Sequence, residues 1–387
     1  MRALHLCSIF LGLVDRAVVN GAPQQLLYRT NEHADLDPYP GRPRLTFRPD
    51  GTFKITVFSD LHYGENPWDE WGPEQDRNST RLVKAVLNDE KPDYVVLNGD
   101  LITGENTFRE NSTTLIDEIV APLNQAGIPF SSSHGNHDNQ ANITHAEEIL
   151  REQKVAPLLS YTRTAPAGVG GPGGPGNYWV PIYRRKNDRA PVLILWFFDS
   201  RGGFSAGPNS TRLPDWVDAS VGGWIRSETR AMNAAWGSAE KRGALAFVHI
   251  PPHVATDLQN NFDSAENPGL NADSLDGGGS VQATTDPANS GKDNTFWDAV
   301  NEHIQNLHAV ISGHDHGDEW CARDRSKDVI FCFGKHSGYG GYTGDGWGYG
   351  VRNLLFTSAD PEVGVETWIR MEDGETHARI TLNKDYS

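Results

Sequence analysis

Six short apolar runs punctuate this chain, and each is followed by glycine or by side chains that carry chemistry. Phe53–Phe58 leads into Ser59-Asp60, and Tyr94–Leu97 into Asn98-Gly99-Asp100. Ile128–Phe130 leads towards His134-Gly-Asn-His-Asp138, and Val192–Phe198, Ala244–Val248 and Leu307–Ile311 complete the set. Runs of this length read as buried strands. Helical periodicity falls between or after them, at about residues 80–90, 112–125, 144–153, 228–240 and 294–306. Strand alternating with helix predicts an α/β architecture. Polar groups gather just beyond the carboxyl ends of the strands, where open α/β sheets place their sites. Val365–Arg370 and Ala378–Leu382 alternate well enough to add late strands.

Two stretches lack any period, namely 165–176, almost wholly Gly, Pro and Ala, and 255–292, rich in Asn, Asp, Ser and Gly. Both are expected as loop insertions, the longer one lying beside the site. No repeat or linker divides the chain, so one domain over 51–387 is predicted, preceded by an extension over 22–50. Ala3–Val14 follows Arg2 and precedes small residues near Gly21, which reads as a secretory signal peptide over 1–21. A buried N-terminal strand or helix is the alternative. No apolar segment is long enough to span a membrane.

The secreted reading brings four N-x-S/T sequons into play, at Asn78, Asn111, Asn142 and Asn209. Of the three cysteines, Cys321 and Cys332 flank a short loop and are expected to bridge in an oxidising compartment, with free buried thiols as the alternative. A formal net charge of −17 argues against nucleic-acid backbones as partners. It leaves phosphorylated substrates open, because bound cations can invert the local field.

Five clusters at the strand ends hold the chemistry: Asp60-Leu-His62, Gly99-Asp100, Gly135-Asn-His-Asp138, His249 and Gly313-His-Asp-His316. All offer oxygen or imidazole nitrogen and none offers sulfur, a donor set for Mn, Zn or Fe. Their number exceeds what one tetrahedral ion takes and suits two ions sharing a carboxylate. In extended chain, residues two apart face the same side, so Asp60 with His62 and His314 with His316 can each address one centre.

This order, D-x-H, G-D, G-N-H-D, H and G-H-x-H, resembles the calcineurin-like metallophosphoesterase superfamily. The words Asn98–Gly104, Phe197–Gly203, His249–Pro252 and Gly338–Tyr342 are similar to the purple-acid-phosphatase-like branch of fungi and plants. The resemblance implies two packed mixed β-sheets flanked by helices, a four-layer αββα sandwich. It implies that Asp60, His62 and His316 bind one divalent or mixed-valence ion and Asn136, His249 and His314 a second, with Asp100 bridging. It further implies that His137 protonates the leaving oxygen, oriented by Asp138. The activity so implied is hydrolysis of phosphate monoesters, on a small molecule or a phosphoprotein, by direct attack of a metal-bound hydroxide with inversion at phosphorus. A phosphodiesterase acting on a nucleotide or lipid head group, and a silent secreted binding glycoprotein, are the alternatives. Purple enzymes carry tyrosine where this chain has Thr103, so no purple colour is expected. Substrate contacts are sought at His253, Arg201, His336 and Tyr339, each with a purely structural alternative.

Overall fold

The computed structural model describes residues 36–386. The signal peptide expected over 1–21, Cys7 within it and residues 22–35 of the extension lie outside the described residues.

Two mixed sheets form the centre of the domain. The first has seven strands in the order β1-β5-β6-β7-β8-β10-β9, where β1 is Leu45–Thr46, β5 Tyr178–Tyr183, β6 Leu193–Phe198, β7 Gly243–Val248, β8 Leu307–Ser312, β9 Cys321–Asp324 and β10 Val329–Phe333. The second has six in the order β13-β12-β11-β2-β3-β4, where β2 is Phe53–Phe58, β3 Tyr94–Asn98, β4 Phe130–Ser133, β11 Gly350–Phe356, β12 Val365–Met371 and β13 Thr376–Leu382. Side chains of alternate residues divide each strand between two cores. Along β6, Leu193, Leu195 and Phe197 face the other sheet and meet Ile55, Val57 and Val96 in a shared core. Ile194, Trp196 and Phe198 point the opposite way, into a core that also holds Val221, Ile225 and Phe296. Those residues come from α4 (Ala219–Trp236) and α6 (Asn294–His303). On the outer side of the second sheet, Val95, Leu97 and Phe130 pack with α1 (Trp71–Glu90) and α2 (Thr114–Ala126). The layering is therefore the helix–sheet–sheet–helix sandwich anticipated.

Several boundaries differ from expectation for identifiable reasons. Leu45–Thr46 pairs in parallel with β5, and Tyr39, Leu45 and Phe47 are buried in the inter-sheet core. The domain thus takes in residues from 36, and the part of the extension over 36–50 belongs to the sandwich. Segment 255–292 has structure of its own: it opens within α5 (Val254–Asn260) and buries Leu275, Val281 and Ala283. Helix α4 starts nine residues before its predicted start despite Gly222-Gly223, because Gly222 lies where α6 passes, with Thr295 and Ala299 against it. Strand β5 was not among the runs expected from the sequence, and it holds Pro181, which removes a ladder donor.

Candidate metal centre

The five polar words sit on turns that follow β2, β3, β4, β7 and β8, so the carboxyl ends of both sheets converge on one place. Backbone bonds fuse the turns: Asp60 N donates to Gly99 O, His62 N to Asp100 O, and Gly313 N to His249 O, at 3.0–3.1 Å. Four of the candidate ligands hold left-handed backbone, Asp60 (φ 57°), His62 (φ 49°), Asp100 (φ 48°) and His314 (φ 79°). Such conformations cost about 1–2 kcal/mol for a residue with a Cβ. At Gly135 the turn needs the missing side chain, since a Cβ there would run into Asp100 and His249.

Ligand atoms of Asp60, His62 and His316 lie within 4.8 Å of one another, and so do those of Asp100, His249 and His314. Asp100 also stands 3.7 Å from His62 Nε2, which puts it between the two groups. Every imidazole has one nitrogen anchored away from the centre. His62 Nδ1 meets Thr103 Oγ1 at 3.2 Å, and His249 Nδ1 meets Asn98 O at 2.9 Å. His314 Nε2 meets Gly279 O at 2.8 Å, and His316 Nδ1 meets Tyr342 O at 2.6 Å. These bonds orient the rings, directing Nε2 of His62, His249 and His316 and Nδ1 of His314 at the centre. Among the described residues, buried His62 Nε2 and Asn136 Oδ1 have no hydrogen-bond partner, and His249 Nε2 meets only the Asp100 carboxylate, at 3.0 Å. Orphaned acceptors that converge beside two carboxylates are what a pair of hard or borderline cations would satisfy, so the residues fit a dinuclear centre.

The electrostatics agree. Burial holds His62 and His316 well below the ordinary imidazole range and His314 at about 4, so these three are neutral. Burial lifts Asp60 to about 7, against the pull of His249. Burial alone would raise Asp100 too, but His249 and His137 hold it well below the carboxylate range. Burial opposes a charge on His249, yet Asp100 at 3.0 Å outweighs it and raises the imidazole to about 10. A cation bound between His249 and Asp100 would take the place of the proton that this contact favours.

His137 lies on the wall of the same cavity, which encloses about 720 Å3. Its ring is 5.0 Å from that of His62. Its orienting partner differs from the one expected. Asp138 does not reach the ring: its carboxylate accepts from the backbone N–H groups of Leu101, Ile102 and Gly135 at 2.8–3.0 Å and so builds the turn. Glu105 Oε1 holds His137 Nδ1 at 2.7 Å. Burial works against the imidazolium, but Asp100 and Glu105 together raise His137 to about 9. No spacing rule marks Glu105, because it arrives on an irregular turn. Equally unmarked is His145, buried against Asp199 at 2.9 Å, whose Nε2 bonds the carbonyl of Gly135 and steadies the turn that bears Asn136.

The four suggested substrate contacts do not line the metal cavity. His253 turns away through Pro251-Pro252, bonds buried Asp293 at 2.6 Å and lines a separate cavity of about 820 Å3. The Arg201 side chain is buried, donating to Trp216 O at 2.7 Å and pairing with Asp218 at 3.3 Å. His336 stacks behind His316 with ring centroids 3.9 Å apart, so it backs a candidate ligand and does not face substrate. The Tyr339 hydroxyl bonds Glu372, and its ring stacks on Tyr349 at 4.0 Å.

Cys321 and Cys332 are disulfide-bonded and stand opposite each other in the β9–β10 pair. Among the sequons, Asn111 and Asn209 are exposed, Asn78 is half-buried within α1, and Asn142 donates its amide to Thr107 O at 2.7 Å. No helix among the described residues is long and apolar enough to cross a membrane.

Comparison with known proteins agrees with this geometry. Residues 53–318 match the family model described as calcineurin-like phosphoesterase. A protein of Arabidopsis thaliana named probable inactive purple acid phosphatase 14 is 28% identical over 364 residues, spanning 88% of this chain and 85% of the plant protein. Phosphatase DCR2 of Saccharomyces cerevisiae is 29% identical over 308 residues, 76% of this chain but 49% of the yeast protein, so this chain spans about half of that relative. In fold, a dimetal phosphatase from Danio rerio superposes with a TM-score of 0.53 at 12% identity, covering 87% of this chain and 100% of that one. With all five turns inside the matched segment, the chain belongs to the calcineurin-like phosphoesterase family.

Proposed function

We propose that the protein is a dinuclear-metal hydrolase of phosphate monoesters that works in the secretory pathway or outside the cell. Asp60, His62 and His316 would hold one ion and Asn136, His249 and His314 the other, with Asp100 placed between the two groups. Bound there, the ions supply positive charge for the phosphoryl oxygens and make a water acidic enough to furnish the nucleophile. The chain's own part is proton transfer and orientation. His137 keeps Nδ1 on Glu105 and presents Nε2 to the leaving oxygen as general acid. Its raised basicity keeps it protonated at neutral pH. The observation that carries this reading is the pair of adjoining triads, Asp60, His62 and His316 beside Asp100, His249 and His314, at a cavity that Asn136 and the imidazole of His137 also line. The disulfide and the exposed Asn111 and Asn209 support the compartment.

That the plant relative is named a probable inactive phosphatase favours a second reading, a binding protein without turnover. Loading purified protein with Mn, Zn or Fe and assaying p-nitrophenyl phosphate beside bis-p-nitrophenyl phosphate separates the two. Monoester turnover that disappears in Asp100→Asn is expected. Faster diester turnover redefines the enzyme as a diesterase, and bound metal without hydrolysis of either ester refutes the reading.

A further inference from the structure

The walls of the metal cavity are acidic beyond the ligands themselves, with Glu65, Glu105, Asp215 and Asp273 among the lining residues, and Arg212 is their single lysine or arginine. Arg212 is exposed, and no ion pair or hydrogen bond of its guanidinium is present among the described residues. Asp215, three residues on, turns its carboxylate to Thr285 N at 3.1 Å instead. The guanidinium lies over the Phe204 ring, 5.0 Å from its centre.

This placement is built into the backbone. Phe204 and Arg212 pair across an antiparallel bridge. Ser205 N bonds Thr211 O at 2.8 Å, and Leu213 N bonds Gly203 O at 2.9 Å. The strap is tied to the turn of Asn136 and His137, because Phe204 N donates to Asn139 O at 2.8 Å and Gly203 lies against Asn136 O too closely for any side chain. An arginine stacked on an aromatic face, with its edge N–H groups free, is a two-pronged donor for carboxylate or phosphate.

We infer that Arg212 sets specificity, and that the preferred substrate is a small phosphate monoester whose alcohol half carries a second anionic group. The inference rests on the dinuclear phosphatase reading above. With the reacting phosphate on the metal side, the second anion meets Arg212, the one place on this wall where lysine or arginine charge awaits it. Phe204, Leu213 and Ile250 offer apolar contact to the carbon chain between the two anions.

The test uses Mn-loaded protein and three matched esters: an alkanediol monophosphate, its α,ω-bisphosphate and its ω-carboxylate analogue. Wild type is expected to favour one or both doubly anionic esters by about tenfold in kcat/KM, a modest factor because the pair is solvent-exposed. That preference shrinks as salt rises. Arg212→Gln removes the preference, Arg212→Lys restores part of it, and Arg226→Gln, which deletes the same charge on α4, leaves the ratio alone. An unchanged ratio in Arg212→Gln overturns the inference. Calorimetry with alkane bisphosphonates against monophosphonates reads the same selectivity without turnover. Selective binding that depends on Arg212, in a protein that hydrolyses none of the esters, sinks the phosphatase reading alone. Equal affinities for the two phosphonates sink the specificity inference.

Discussion

Replacing Glu105 by glutamine tests whether His137 is a general acid whose protonation this chain controls. Glutamine can still accept from Nδ1, so the variant removes charge and keeps the bond. The Glu105–His137 contact is 2.7 Å, with side chains 41% and 32% exposed. A charge-assisted hydrogen bond contributes about 1.5–3 kcal/mol when shielded, and this exposure cuts it to about 1 kcal/mol. At 1.36 kcal/mol per unit, the His137 value falls by roughly 0.7 from about 9. The acid is active while protonated, so the alkaline limb of kcat moves down by that amount. The loss at pH 8 is larger on an alkyl phosphate than on p-nitrophenyl phosphate, whose leaving group departs without a proton. Parallel pH–rate profiles and metal analysis decide the matter. An alkaline limb that stays in place for both substrates, with two ions still bound, refutes the role assigned to His137 and Glu105.

Other consequences can be checked as directly. Thr103→Val removes the hydroxyl that fixes His62, and metal affinity by competition with a chelator should fall roughly 10–100-fold, the usual effect of losing such a partner. Serine at both Cys321 and Cys332 releases a loop with a sequence separation of 11, which should lower the unfolding free energy in urea by about 2.5–3 kcal/mol. Asp293 raises the pKa of His253 above its ordinary value, helped by the direct bond and opposed by burial. A raised folded value contributes stability that is complete below about pH 6.5 and is lost as pH climbs through it. Unfolding midpoints of Asp293→Asn should lack that decline, and an identical pH profile would remove the pair from the stability account.

The centre was legible because metal chemistry restricts residue type so tightly that Asp, His and Asn had to stand at strand ends in readable words. Strands β3, β6 and β7 were legible for the related reason that a strand buried on both faces is a near-continuous apolar run, and β2 and β8 were legible although Lys54, Thr56 and His308 interrupt theirs. What escaped depends on chain direction after a turn. His253 follows His249 by four residues, yet two prolines and a new helix send it to another cavity. Arg201 follows the end of β6 with left-handed backbone (φ 60°) that buries its side chain beneath Trp216 and Asp218. Asp138 adjoins His137 in sequence, but a tight turn points the carboxylate inwards at three amides while Glu105, 32 residues away, takes the ring. Strands β9 to β11 went unread because their partners are set by tertiary pairing.

The left-handed backbone at Asp60, His62, Asp100 and His314 divides the molecule mechanically. These four residues stand in three loops at one rim, above sheets whose central strands are buried. Cations bound there would act as clasps, tying the three loops to one another through their side chains. Stripping them should therefore slacken the rim long before the sandwich melts, and amide exchange would show a frayed lip on an intact body. In such an arrangement the scaffold can survive many cycles of metal loss and reloading, because what holds the ions is not what holds the fold.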